Sequence, residues 1–248
     1  MERVFLKILN DKTSGSAEIL ANLITYLYIQ VRHGKSIIHL IKTAENQLGH
    51  FAIIKNFLIQ LKSVAKRNDR DALMEYLSSL KQDEKNKYLK IFDALPDKLI
   101  ISRKIVTLSN SKTVFEILRL WYQQNIKLKV SVLESKPGGE GRILARKLKI
   151  SGVDSELKMD SALSGILEKS DLLLLGCDII LKNGSIVNKT GSRNAAIIAK
   201  HFNKPVVVVS SKSKRILNNN YLIRGRNPEE KYLFEKVEKK LITQIITD

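Results

Sequence analysis

Cysteine occurs once in this sequence, at Cys177, and proline four times. A lone thiol allows no internal disulfide, which fits a reducing compartment. Aromatic residues make up only 6% of the chain, too few for an obvious surface on which nucleic-acid bases would stack. No apolar run approaches the roughly 18–20 residues that cross a bilayer, so no contact with membranes is expected. The opening residues MERVFLKILN lack the basic stretch and apolar run of a secretory leader. A soluble protein of the cytoplasm is expected. Repeats and low-complexity segments are absent, and neither a cofactor nor a metal is expected.

What the sequence has in excess is lysine. Lys and Arg number 43 against 25 Asp and Glu, a formal charge of +18. Such a surplus fits binding to nucleic acid, binding to other anionic partners or phosphorylated ligands, or plain solvated lysine faces. The basic residues (Lys66, Arg67, Lys104, Lys127, Lys149, Lys200 and Lys239 among them) are spread along the chain, not gathered in one arm. Proximity to RNA or the ribosome stays open on this ground. With 44% hydrophobic residues the chain is able to bury a substantial core.

Residues 1–98 read as helical. Ala17 to about Val31 is largely apolar, and Ser14-Gly15-Ser16 ahead of it offers capping side chains. From Ala44 to about Lys66, Phe51, Ile54, Phe57, Leu58 and Leu61 recur at three and four, the stripe of one amphipathic helix. Leu73 to about Leu95 behaves similarly, and Pro96-Asp97 breaks the pattern. Beyond it, short apolar runs alternate with helical patterns. Strands are predicted at 104–109, 128–133, 171–176 and 205–210, with a weaker one at 155–158. Helices are predicted at 112–124, 140–148, 161–168 and 191–201. Repeated strand–helix units of this size imply a mostly parallel sheet with right-handed crossovers. Asn183-Gly184 suggests a tight turn into a small extra strand. The tail from Tyr232 to Asp248 shows a mixed helix-to-strand pattern.

Ligands of open parallel sheets bind at the carboxyl ends of strands, where the next helix presents unpaired N–H groups. Three turns of that kind stand out. Thr107-Leu108-Ser109-Asn110-Ser111-Lys112-Thr113 leaves a strand with hydroxyls, an amide and a lysine, fit either for holding a phosphate or for ordinary N-capping. Glu134-Ser135-Lys136-Pro137-Gly138-Gly139-Glu140-Gly141-Arg142 is glycine-rich. There Arg142 is placed either to fork onto a phosphate or to pair with Glu134 or Glu140. The third turn carries Gly176-Cys177-Asp178, Asn183-Gly184 and then Asn188-Lys189-Thr190-Gly191-Ser192-Arg193. A carboxylate, Asp178, past an apolar strand and near Lys189 suits proton transfer on a phosphorylated sugar. The alternative is a structural Asp178–Lys189 pair with Gly191 making only a turn.

In this order, the stretches VTLSNSKTV, VSVLESKPGGEGRILARKL, DLLLLGCDIILKNGSIVNKTGSRNAAIIAK and KPVVVVSSKSK resemble one family. It comprises the alpha, beta and delta regulatory subunits of translation initiation factor 2B, together with methylthioribose-1-phosphate isomerase and ribose-1,5-bisphosphate isomerase. The ending KKLITQIITD looks like the family's terminal strand, and DKTSGSAEIL is a looser match near the start. The resemblance covers residues 103–248 firmly.

It implies an α/β protein with a helical N-terminal domain, residues 1–98, and a Rossmann-like, mostly parallel open sheet, residues 99–248, that carries the ligand pocket and pairs into dimers or larger oligomers. It also implies an ancestral sugar-phosphate pocket, in which Ser109, Asn110, Ser111, Lys112, Glu134, Arg142, Asn188 and Lys189 would bind the ligand. In the isomerases of the family a cysteine and an aspartate form the catalytic pair. The aspartate position matches Asp178, whereas the cysteine position falls on Ser109, and a serine hydroxyl is a far poorer acid than a thiol. Cys177 adjoins Asp178, but strand alternation turns it to the opposite face. Ser14 stands where the isomerases carry an arginine that ligates phosphate. The expected function is therefore a non-catalytic regulatory protein that binds initiation factor 2, its alpha subunit in particular, and retains a pocket for a phosphorylated sugar or nucleotide. A sugar-phosphate isomerase with Asp178 as the proton shuttle is the alternative.

Overall fold

The computed structural model describes residues 2–11, 13–67, 69–124, 127–217 and 233–248. The chain divides into two compact units, Met1–Lys87 and Tyr88–Asp248. The first unit contains helices α1 (Glu2–Leu9), α2 (Ser16–Arg32), α3 (Ile38–Leu48) and α4 (Ala52–Ala65), and most of α5 (Arg70–Asp93). Their apolar stripes meet in one core, with Leu9, Leu23, Leu27, Leu48, Ile54 and Leu77 excluded from solvent.

Two expectations fail in this unit. The single helix expected from Ala44 to Lys66 is two, broken at Gly49-His50-Phe51. Gly49 N–H still donates to Glu45 O at 3.0 Å, and Phe51 N–H turns back to Leu48 O. The apolar stripe keeps its phase across the break, so periodicity alone cannot reveal it. Nor do serines cap α2. Gly15 is its N-cap without any side-chain bond, while Ser14 N–H donates to Asp11 Oδ1 at 2.9 Å.

The second unit begins inside α5 and not at the 98/99 boundary expected from Pro96. Ile91, Phe92, Leu95 and Leu99 pack into its core together with Trp121. The Trp121 ring is fully buried, meets Phe92 edge-on, and its Nε1–H donates to Ile100 O at 2.9 Å. Burying such a side chain stabilises by about 3 kcal/mol. After the short helix α6 (Asp97–Ile100) the alternation runs β1 (Lys104–Leu108), α7 (Lys112–Gln123), β2 (Lys129–Leu133), α8 (Gly141–Ile150), β3 (Asp154–Lys158), α9 (Leu163–Glu168) and β4 (Leu172–Leu175). It continues with β5 (Ile179–Ile180), β6 (Ile186–Lys189), α10 (Ser192–His201), β7 (Val206–Ser210), β8 (Phe234–Val237) and β9 (Gln244–Thr247).

Six strands form a parallel sheet in the order β3-β2-β1-β4-β7-β9. The order reverses between β1 and β4, and that is where an open α/β sheet leaves a crevice outside its carboxyl ends. One face packs Ile105, Leu172, Leu174 and Val207 with residues of α7 and α8. The other packs Val106, Leu108, Leu173, Leu175 and Val208 with residues of α9 and α10. Burial on both faces explains why β4 and β7 read as unbroken apolar runs. The turn at Asn183-Gly184 joins β5 to β6 as expected, and with β8 they make a small antiparallel sheet. The tail is β8, a short 3₁₀ turn at Lys239–Leu241, and β9 at the sheet edge. Tyr232 lies outside the described residues.

Candidate functional site

The switch point brings together the loops that follow β1, β2 and β4, and three contacts tie them to one another. After β1, Ser109 takes a φ of +65°, and after β2, Ser135 takes +64°. A residue with a Cβ is held in that region at a cost of about 1–3 kcal/mol, and such positions gather at functional sites. The two serines face each other, with Ser109 N–H donating to Ser135 Oγ at 2.6 Å in a buried setting. The first loop also meets the third. A Cβ placed on Gly176, just beyond β4, would lie 2.4 Å from Ser111 Oγ, so only glycine permits this approach. The second loop meets the strand beyond the third through Lys189 Nζ, which donates to Glu140 Oε1 at 2.7 Å. This pair is well withdrawn from solvent, with 6% of the Glu140 side chain and 18% of the Lys189 side chain exposed.

Each residue expected at the site has a definite place. Ser109 and Asn110 are buried at the end of β1. Ser111 is the N-cap of α7 and accepts Val114 N–H at 3.3 Å, so capping is its role in this structure. Lys112 opens that helix and is half-buried. Glu134 and Arg142 form an ion pair across the second loop, which uses the guanidinium within the chain. Asn188 is buried and donates to Ser192 Oγ at 2.9 Å. Asp178 is half-buried beyond β4, with its N–H donating to Val187 O at 2.9 Å. Lys189 pairs with Glu140 and not with Asp178, because β6 carries it to the start of α8, where Glu140 is the N-cap residue. Its ammonium also lies 4.6 Å from the centre of the Phe234 ring.

Cys177 points away from this cluster, as strand alternation requires. It lies in the core on the face of α9 and α10, and burial pushes its thiol up to about 11, against the opposing pull of nearby Lys214. Lys214 is buried as well, and its Nζ donates to Cys177 O at 2.6 Å. Sequence reasoning missed Lys214 as a site neighbour. It also missed Ser135 and Asp160, whose two carboxylate oxygens accept Ser135 N–H at 2.9 Å and Lys136 N–H at 2.7 Å. Glu235 was overlooked too. Its carboxylate takes Arg193 N–H at 2.8 Å and so occupies the start of α10, where an anionic ligand was expected. A signal for Glu140 existed, namely a carboxylate between glycines at a helix start. Asp160 and Glu235 had none, because only the fold brings them near. Among the described residues no cluster of His, Cys, Asp and Glu has the arrangement of a metal site.

An open parallel sheet with polar loops meeting at its topological switch point defines a doubly wound α/β protein, a class whose ligands bind at that point. The sequence places it further: residues 14–248 match the Initiation factor 2 subunit family, and the chain belongs to it. The ribose 1,5-bisphosphate isomerase of Methanocaldococcus jannaschii is 30% identical over 135 residues, covering 53% of this chain and 44% of that protein. The translation initiation factor eIF2B subunit alpha of Caenorhabditis elegans is 34% identical over 110 residues, 44% of this chain and 36% of its own. The alignments with these curated relatives therefore reach less than half of their length. A crystal structure of the tetrameric eIF2B-beta2-delta2 complex from C. thermophilum contains a chain of the same fold, with a TM-score of 0.78 at 18% identity. That match covers 99% of this chain and 90% of that one. Among the described residues no helix is long and apolar enough to cross a membrane.

Proposed function

We propose that this chain is a non-catalytic, initiation factor 2B-like regulatory protein of the cytoplasm. In this reading it binds initiation factor 2 through the alpha subunit, acts as at least a dimer, and keeps the crevice at β1 and β4 for a phosphorylated sugar or nucleotide. The carrying observation is the absence of an ionisable thiol beside Asp178. Ser109 stands at the end of β1, and the chain's sole thiol, Cys177, is buried in the core with its pKa pushed up to about 11. General acid–base chemistry near neutrality wants groups whose pKa lies near the working pH, and neither residue supplies one to pair with Asp178. The internal pairing of Arg142 and Lys189 supports the same reading. A ligand phosphate would have to compete with carboxylates for both cations.

The alternative, a sugar-phosphate isomerase, draws support from Asp178, half-buried just beyond the carboxyl end of β4. Two experiments on the full chain decide between them. The first offers ribose 1,5-bisphosphate and methylthioribose 1-phosphate to wild type and Asp178→Asn. The second measures capture of the initiation factor 2 alpha subunit. No turnover together with capture of the alpha subunit is expected. Turnover by wild type that disappears in Asp178→Asn would overturn the regulatory reading in favour of the isomerase.

A further inference from the structure

Glu140 is the N-cap residue of α8, yet its side chain makes no bond to the helix it caps. It folds back over its own loop instead. A Cβ placed on Gly138 would lie 2.5 Å from both Cδ and Oε1 of Glu140, closer than non-bonded atoms pack. Glycine at 138 therefore leaves a notch, and the carboxylate fills it. From that notch Glu140 Oε1 accepts a hydrogen bond from Lys189 Nζ at 2.7 Å. Among the described residues Lys189 has no other carboxylate partner and Glu140 no other cation.

The main chain around this contact is held firmly. Gly139 N–H donates to Ser135 O at 2.8 Å, Gly141 N–H to Glu134 O at 3.2 Å, and Ile143 N–H to Glu140 O at 3.0 Å. Gly141 is pressed against the end of β2, where a Cβ would overlap Leu133 O at 1.8 Å. Only the Glu140 side chain is left to swing. Lys189 is seated separately: β6 pairs it with Phe234 of β8, and its ammonium lies 4.6 Å from the centre of that ring. The ring holds the cation in place when the carboxylate leaves. Gly138 does not take a positive φ, so alanine suits its backbone and only the notch calls for glycine.

We propose that Gly138 and Glu140 form an autoinhibitory latch: the carboxylate occupies Lys189 in the empty protein, and a phosphate-bearing ligand gains that lysine only by displacing it. The latch rests on the reading of the crevice as a pocket for a phosphorylated sugar or nucleotide, and adds how its occupancy is controlled. A site that is competent only while its latch stands open binds more weakly by the open fraction. With the pair open about one tenth of the time, the pocket fills at ligand concentrations about tenfold higher than an unlatched one. A carboxylate at a helix start also answers the helix dipole. That role survives a methyl group at position 138, whereas the latch does not, because the methyl group displaces the carboxylate from its notch.

The test is isothermal titration calorimetry of the full chain with two probes, inorganic phosphate and ribose 5-phosphate. Glu140→Gln removes the competing charge and should tighten binding of both by about tenfold. Gly138→Ala keeps that charge but fills the notch, and should tighten binding by about threefold or more. Adding Lys189→Met to either variant should abolish the gain. Gly165→Ala, in α9 with no atom within 4 Å of the added Cβ, should bind as wild type does. Where Glu140→Gln does not fold, Gly138→Ala carries the test. If wild type binds ribose 5-phosphate and neither variant binds it more tightly, the latch is overturned and the pocket stands. A gain that survives Lys189→Met, or one matched by Gly165→Ala, would overturn the latch as well. No binding by wild type or by either variant would instead overturn the reading of the crevice as a phosphate pocket, and the latch with it.

Discussion

Replacing Glu140 by glutamine tests the idea that the crevice holds its cations within the chain. Glu140 and Lys189 are joined at 2.7 Å with 6% and 18% of their side chains exposed. Breaking such a pair by removing one charge costs about 3–5 kcal/mol, chiefly because the surviving charge stays desolvated. Two features lower that figure here. Lys189 keeps some contact with water and lies over the Phe234 ring, and a glutamine oxygen is still able to accept its hydrogen bond. The expected loss is about 2–3 kcal/mol, to be read from urea denaturation as a lower midpoint at unchanged slope. In Glu140→Gln/Lys189→Met the stranded ammonium is gone, so the double variant should recover at least half of the loss. That gives a coupling energy of about 1 kcal/mol or more. The same Glu140→Gln substitution should strengthen binding of inorganic phosphate, because Lys189 no longer has a carboxylate to leave. Stability within about 0.5 kcal/mol of wild type, the range of an ordinary surface change, would refute the reasoning, as would additivity of the two substitutions.

Two further outcomes concern stability alone. The Cys177 thiol is raised from an ordinary value of 9.0 to about 11 by burial, so the folded state favours the protonated form. Its contribution is complete below pH 9 and is lost as pH rises toward about 11, amounting to roughly 2 kcal/mol at the far end. Denaturation midpoints of wild type should consequently fall more steeply over that window than those of Cys177→Ala, and parallel curves would contradict it. Ser135→Ala removes the acceptor of Ser109 N–H, which is bonded at 2.6 Å in a buried setting. The orphaned donor should lower stability by about 1–2 kcal/mol in urea denaturation, and a neutral result would mean that the loop rearranges around another acceptor.

Much of this architecture could be read from the sequence because strands buried on both faces leave a plain record. Leu172-Leu173-Leu174-Leu175 and Val206-Val207-Val208-Val209 are apolar runs; β4 coincides with the first, and β7 is the second extended by Ser210. The helices between strands were equally legible, since α7 and α8 each show one apolar face to the sheet. Less was visible where a boundary is decided by packing. Pro96 suggested a domain limit, yet Ile91, Phe92 and Leu95, ahead of it, pack with Trp121. At the candidate site the strand ends were predictable, whereas the partners were not. Glu140 and Lys189 are 49 residues apart, and Ser109 and Ser135 are 26 apart. Nothing local in either sequence neighbourhood selects the partner, so the reading that paired Lys189 with nearby Asp178 followed sequence distance and missed the fold.

The distribution of charge joins these observations. Seen along the sequence, basic residues are scattered, and a surplus of +18 favours no one anion-binding role over another. Folding separates them. Three cations near the carboxyl ends of strands meet carboxylates: Arg142 meets Glu134 of its own loop, whereas Lys189 and Arg193 meet Glu140 and Glu238 from distant parts of the chain. At the amino ends of the strands Lys104 and Lys129 are neighbours, flanked by Asp154 opposite Lys129 and by Asp171 beside Lys104. The two lysines repel, and the flanking aspartates of the chain itself offset that repulsion. With Arg142 and Lys189 already paired inside the chain, the regulatory reading proposed above has its ligand chosen by shape and hydrogen bonding, through the buried Ser109, Asn110 and Asn188, and not by bulk charge.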